Sequence, residues 1–167
     1  MKQLPKSFYV SDDVVAIAKA LLGKILVSSI NNQLTQCRIV ETEAYRGPDD
    51  KASHTYGNRL NNKNKVMYEE GGHAYVYISY GMHHMLNVVT SSRGNGHAVL
   101  IRAVEPITGI DTIKTNRKVA HDNHKLTGGP GKLCQALGIT KEMNLQKFYK
   151  KDAFLQIWDD GYIVEDV

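Results

Sequence analysis

The chain is poor in the residues that mark secreted and membrane proteins. Only two of its 167 residues are cysteine, four are proline and one is tryptophan. Two cysteines are too few for a disulfide framework, and two reduced thiols fit a cytosolic protein. No apolar run approaches the ~20 residues of a membrane helix, and residues 1–10 lack the apolar stretch of a signal peptide. These absences favour a cytoplasmic protein with no membrane partner.

What is present is the composition of one globular domain. Hydrophobic residues make up 42% and charged residues 23%, which is ordinary for a folded protein. We therefore expect residues 1–167 to form a single domain. The net charge is +4, and neither residues 59–65 nor residues 112–118 contain an acid. Such segments attract a phosphate backbone, although lysine-rich loops are equally often just solvated.

Periodicity predicts an α+β domain on a largely antiparallel sheet. We expect helices over Ser11–Gly23, Ile107–Ala120 and Gly131–Leu137. The first should be capped by Ser11 and should bury one apolar face. The predicted strands cover Lys24–Ile30, Gln33–Tyr45, Ala74–Tyr80, Met85–Ser91, Ala98–Val104 and Ala153–Trp158. The first two should form a hairpin at Asn31-Asn32, and the next two a hairpin around Gly81–His84. In the latter, Tyr75 and Tyr77 should face one way and Val76 the other. An uninterrupted strand would place one row on a single face: Cys37, Ile39, Glu41, Glu43 and Tyr45.

The end of that row carries candidate chemistry. A carboxylate at the end of an apolar strand is costly to bury, so the acids Glu41 and Glu43 just before Tyr45 suggest a general base next to an aromatic platform. Two solvent-facing acids at a strand end remain the alternative. His54, in the long loop 46–72, is either a site residue or a surface histidine. His121 and His124 lack supporting ligands, and we predict no metal site.

Two further segments could contact a nucleic acid. Tyr80 and Met82 flank an exposed hairpin tip, where apolar side chains can wedge between base pairs, although strand tyrosines are most simply packing residues. Gly131 and Lys132 begin a helix whose free backbone N–H groups suit a phosphate. A helix start without a ligand is the alternative, and the spacing is not that of a P-loop.

Together these segments resemble the alkyladenine (3-methyladenine) DNA glycosylase family. The likeness runs in collinear order from about Pro5 to Trp158. The matching stretches are Arg38–Tyr45, Gly47–Asp50 leading to His54, Tyr75–Met82 with Asn87, Val99–Pro106 and Gly129–Leu137.

The resemblance implies a curved, largely antiparallel sheet flanked by helices, with a protruding hairpin. It implies a monofunctional enzyme that flips damaged purines from duplex DNA and hydrolyses the N-glycosidic bond with a Glu43-activated water. Arg102 would hold that water or a nearby phosphate. By match of position, the base would lie among Tyr45, His54, Tyr77 and Asn87, and Tyr80 with Met82 would fill the gap in the stack. Arg59, Lys63, Gly131 and Lys132 would contact the DNA backbone.

The resemblance also implies a monomer that needs no cofactor and lies with the nucleoid in a bacterium or in the nucleus of a eukaryote. Family members usually continue beyond Trp158 with further sheet residues, so we expect that a C-terminal segment is lacking. A non-catalytic binder of damaged DNA is therefore the main alternative. A small-molecule nucleoside hydrolase explains neither the exposed tip nor the basic loops.

Overall fold

A seven-stranded sheet forms the centre of the computed structural model, which describes residues 1–120 and 125–165. The strands are β1 (Lys2–Gln3), β2 (Ile25–Ser28), β3 (Thr35–Arg46), β4 (Ala74–Ser79), β5 (His83–Thr90), β6 (His97–Thr108) and β7 (Leu155–Asp159). Their order is β1-β7-β2-β3-β6-β5-β4, and each neighbouring pair is antiparallel. The sheet curls into a half barrel, which confirms the predicted α+β class.

Helices pack against this sheet and bury its main core. They are α1 (Lys6–Tyr9), α2 (Val14–Leu21), α3 (Ile110–Arg117) and α4 (Pro130–Leu137). Single 3₁₀ turns lie at Ile30–Asn32, Tyr56–Asn58, Lys65–Tyr68 and Lys141–Met143. Because Ile107 and Thr108 extend β6, with Thr108 opposite Gln36, the helix expected over Ile107–Ala120 is shorter than predicted. The predicted absence of a metal at His121 and His124 concerns residues outside the described ranges.

The first long helix confirms the predicted apolar stripe but not its cap. Ile17 and Leu21 of α2 are buried in the main core. The helix begins at Val14, and the side chain of Asp13, not Ser11, accepts a hydrogen bond from Ala16 N at 2.9 Å. Ser11 lies two residues before Asp13, and its hydroxyl oxygen accepts a hydrogen bond from Asp13 N. An aspartate at the N-cap also complements the positive end of the helix dipole.

A β-bulge divides β3 into two segments with opposite facing. Its pairing with β6 shifts register once near the start of the strand, between Gln36 and Cys37. It shifts again between Ile39 and Glu41 and between Glu41 and Thr42, where the bulge lies. Before the bulge, Cys37 and Ile39 face the main core; after it, Ala44 packs against that core and Thr42 donates to Ala18 O. The single row from Cys37 to Tyr45 was therefore a wrong prediction, because an extra residue reverses which side chains face inward.

The hairpin of β4 and β5 turns more tightly than predicted. Tyr80 and Gly81 have φ values of 51° and 70°, and Met82 N donates to Ser79 O. Ser79 is paired with His83, so the three residues Tyr80–Met82 connect the strands and β5 begins already at His83. The predicted hairpin at Asn31-Asn32 is present, and both residues have positive φ values. Its connection is longer than predicted, because β2 ends at Ser28, opposite Thr35, and a 3₁₀ turn lies between them.

Alternation along β3 makes the adjacent residues Ile39 and Val40 differ in their contribution to stability. Ile39 is fully buried, whereas Val40 is 50% exposed. We expect Ile39→Ala to lower the free energy of unfolding by about 2–5 kcal/mol, because it leaves a cavity in the core. Val40→Ala should change it by only about 0.5 kcal/mol. Urea denaturation of both variants measures the difference, and equal losses would contradict the described register.

Candidate active site

A carboxylate with two hydrogen-bond donors lies on the open side of the β3–β6 pair. Glu43 follows the bulge and is paired in register with Leu100. Its Oε2 accepts a hydrogen bond from the Tyr45 hydroxyl at 2.6 Å, and its Oε1 accepts one from Arg102 Nη1 at 3.0 Å. The Glu43 side chain is 39% exposed. It is thus fixed in orientation and still reachable from solvent.

Three aromatic rings form a wall beside this carboxylate. The rings of His54 and Tyr77 are 4.5 Å apart between centroids, and those of Tyr75 and Tyr77 are 5.4 Å apart. The hydroxyl of Tyr75 lies 2.9 Å from His54 Nδ1. Burial, and then the negative charge of Glu43, raises the pKa of Tyr77. Glu43, Tyr45 and Tyr77 therefore lie in one neighbourhood.

A cleft opens between these groups. Its lining consists of Tyr45, Ala52, His54, Met67, Tyr75, Tyr77 and Asn87. Asn87 is 4% exposed and donates its side-chain N–H to Tyr75 O at 3.3 Å, so its amide is fixed at the base of the cleft. The four residues assigned to base recognition from the sequence are thus brought together. Their role in binding a base stays a prediction.

The walls of the cleft are uncharged near neutral pH. Burial, and then the hydrogen bond to Glu43, raises the pKa of Tyr45 above its ordinary value. Burial likewise raises the pKa of Tyr75. Desolvation lowers the pKa of His54, so the neutral imidazole is favoured. The cleft therefore presents neutral aromatic faces beside the carboxylate of Glu43.

The hairpin of β4 and β5 projects a large aromatic side chain. Tyr80 is 94% exposed and Met82 is 70% exposed. Behind them, alternation along β4 turns Tyr75 and Tyr77 toward the cleft, as predicted, while Val76 faces the main core. The tip and the cleft consequently belong to one structural unit.

A broad groove connects the hairpin tip with the basic loop, residues 59–65. Its lining includes His54, Arg59, Lys63, Tyr80 and, from the far side, Lys141. At the other flank of the hairpin, a Cβ on Gly131 would lie 3.1 Å from His83 Cβ, so this close approach of α4 favours glycine. Lys132 beside it is exposed. The structure thus places the four proposed backbone contacts around the hairpin, and contact with DNA stays a prediction.

Sequence reasoning missed the residue that holds the basic loop in shape. Asn64 is 1% exposed, and its side-chain amide donates to the carbonyl oxygens of His54 and Arg59, both at 2.8 Å. Its Oδ1 accepts from Asn61 N. One buried side chain therefore links the cleft wall to the groove. Met67, Tyr75 and Glu41 were also missed as site residues. Tyr75 had a signal, because it shares a strand face with Tyr77, and so did Glu41, because it lies in the same acidic strand end as Glu43.

Within the described residues no group of three His, Cys, Asp or Glu side chains could hold a metal ion. Over the same ranges, none of the helices has the length and apolar character needed to cross a bilayer.

Comparison with known proteins identifies the family. The sequence model of Methylpurine-DNA glycosylase (MPG) matches residues 7–165. The chain belongs to the methylpurine-DNA glycosylase family. As a member of that family it is a DNA glycosylase and acts in base-excision repair, which confirms the resemblance noted in the sequence.

Bacterial relatives of this glycosylase carry the name "Putative 3-methyladenine DNA glycosylase". The Chlamydia felis protein is 52% identical over 144 residues, which cover 86% of this chain and 74% of the relative. A Bacillus cereus protein is 51% identical over 145 residues, covering 84% and 70%. The Natranaerobius thermophilus protein is 49% identical over 135 residues, covering 80% and 68%.

The amide of Asn64 generates a prediction about the glycosylase loop. Asn64→Asp replaces the donor to two carbonyl groups by an acceptor, so we expect faster amide hydrogen exchange across residues 54–59. Asn62→Asp is the matched control, because it adds the same charge to an exposed position of the same loop. Equal exchange in the two variants would show that Asn64 does not hold the loop.

Proposed function

We propose that this glycosylase flips alkylated or deaminated purines out of duplex DNA and hydrolyses their N-glycosidic bond with a water activated by Glu43. The observation that carries the proposal is the Glu43 carboxylate beside the aromatic cleft, with the exposed Tyr80 on the hairpin that forms one wall. The family membership supports it at the level of DNA glycosylase activity.

The hydrogen bonds of Glu43 suit a general base. Tyr45 and Arg102 each occupy one lone pair of the carboxylate, and each oxygen keeps a second acceptor site. A water held there would lose a proton to Glu43 while its oxygen bonds to C1′ of the sugar. The electron pair of the broken bond then leaves with the purine nitrogen. The products are free base and an abasic strand whose backbone is intact, which is monofunctional chemistry.

The cleft walls favour a cationic or electron-poor base. The faces of Tyr45 and Tyr77 attract a positively charged alkylpurine more than a normal purine. A neutral His54 avoids repelling that cation, because desolvation holds its pKa low. Asn87, fixed by its bond to Tyr75 O, would oppose the exocyclic amino group of guanine. These properties support damaged purines as the substrate class.

Extrusion of a base costs a few kcal/mol, and the enzyme must offset that cost. Tyr80, with Met82 beside it, would fill the vacated position in the stack, and Tyr45 would stack on the flipped base. Arg59, Lys63, Gly131 and Lys132 would contact phosphates on either side of the hairpin. We propose that a single copy of the chain does this on duplex DNA.

Substitution of the proposed general base, Glu43, tests the hydrolysis step. Glu43→Gln keeps the shape and both hydrogen-bonding neighbours but removes the proton acceptor, so we expect base release to fall by about 10²–10⁴-fold. Affinity for lesion-containing duplex should remain within a few-fold. The measurement is single-turnover release of 3-methyladenine or hypoxanthine from an oligonucleotide, beside a binding titration. Substantial residual release would remove Glu43 from the role. Tight binding by the unaltered chain without any release would instead favour a non-catalytic binder.

Removal of the exposed phenol tests the wedge. We expect Tyr80→Ala to weaken binding of lesion-containing duplex by about 1–3 kcal/mol, because the stacking surface is lost. The control is Phe154→Ala, which removes an aromatic ring that is 48% exposed beside β7, several strands away across the sheet. Comparison of the two affinities gives the result, and a Tyr80→Ala variant that binds like the control would contradict the assignment.

A further inference from the structure

A second carboxylate flanks the arginine of the site. Arg102 Nε lies 3.3 Å from Glu41 Oε1, while Arg102 Nη1 donates to Glu43 Oε1. One guanidinium therefore lies between two acidic side chains of the same strand. The proposed chemistry uses Glu43 and Arg102 and leaves Glu41 without a role.

Stability does not explain the contact between Glu41 and Arg102. Their side chains are 56% and 38% exposed, and solvent screening leaves such a pair with little net contribution to folding. The Nε atom itself is nevertheless buried and makes no well-aligned hydrogen bond among the described residues. Its ion-pair partner is Glu41 Oε1, at 3.3 Å. A buried donor of a charged group is costly to leave unpaired, so this contact has a reason beyond surface charge.

The bulge in β3 brings the two groups together. Register shifts on both sides of Glu41 set it opposite Ala103, the residue next to Arg102 on β6. Glu41 and Glu43 then project on the same side of the strand and meet the guanidinium from two directions. A regular strand continuing from Ile39 would have placed these carboxylates on the core face.

We propose that Glu41 is a positioning residue, which holds the guanidinium of Arg102 on Glu43 when DNA phosphates compete for it. This proposal rests on the proposed function, in which Glu43 activates water. An arginine fork has several donors and readily turns to a phosphate. With Nε held at Glu41, Nη1 stays on Glu43 Oε1 and fixes the carboxylate plane, and the remaining donors are left for water or DNA.

The test separates catalysis from binding in Glu41 variants. We expect Glu41→Ala to lower the single-turnover rate of base release about tenfold, because Glu43 loses its fixed orientation. Affinity for lesion-containing duplex should not weaken, since the change removes a negative charge beside the DNA. Glu41→Gln retains an acceptor for Nε and should recover most of the rate. Glu105→Gln, at an exposed acid elsewhere on β6, is the control and should match the unaltered chain.

A double-mutant cycle shows whether Glu41 acts through Arg102. In an Arg102→Ala background, Glu41→Ala should cause no further loss of rate. An unchanged rate in Glu41→Ala, or the same loss in both backgrounds, would overturn the proposal. If Glu41→Ala folds poorly, Glu41→Gln takes its place in the cycle. A rate of Glu41→Gln as low as that of Arg102→Ala would also contradict the proposal, because glutamine still offers an acceptor to Arg102 Nε. Failure of the proposed function is recognised separately, by base release that survives Glu43→Gln.

Discussion

The pairing of β3 with β6, with its irregular register on both sides of Glu41, is the constraint on which the site depends. Before the bulge, the strand sends Cys37 and Ile39 into the main core. After it, the same strand packs Ala44 inward and leaves Glu43 and Tyr45 facing the cleft. One long strand thus contributes both to the hydrophobic core and to a solvent-accessible carboxylate. The extra residue is what allows both without burying an unpaired charge.

Two further elements, a strand hairpin and a long loop, supply the remaining parts of the site. The hairpin of β4 and β5 is tied into the sheet through β6, and it supplies Tyr77, Asn87 and the exposed Tyr80. The loop 46–72 supplies His54 and Arg59 and depends on polar contacts such as those of Asn64. The tyrosines proposed to stack on bases therefore belong to the hairpin and to β3, whereas part of the groove lining belongs to a loop that hydrogen bonds hold in shape. Binding residues are commonly found on such loops.

Sequence patterns predicted the features that follow a simple period or a local backbone preference. The apolar stripe of α2, the alternation of Tyr75 with Val76 and the exposed position of Tyr80 are of this kind. The bulge escaped prediction because one inserted residue leaves the composition of a strand unchanged. Asn64 escaped because a buried amide in a polar loop looks like its exposed neighbours, and the contact of Glu41 with Arg102 depends on a register that only the folded sheet defines.

The backbone at the hairpin tip limits which side chains evolution can place there. Tyr80 occupies a left-handed conformation with φ of 51°, and Gly81 follows with φ of 70°. A residue branched at Cβ is strained most in that region, whereas asparagine enters it more readily. Valine and isoleucine, otherwise compact and apolar plugs, are thereby disfavoured. The repertoire available for probing a base stack is narrowed by the turn itself before any contact with the double helix.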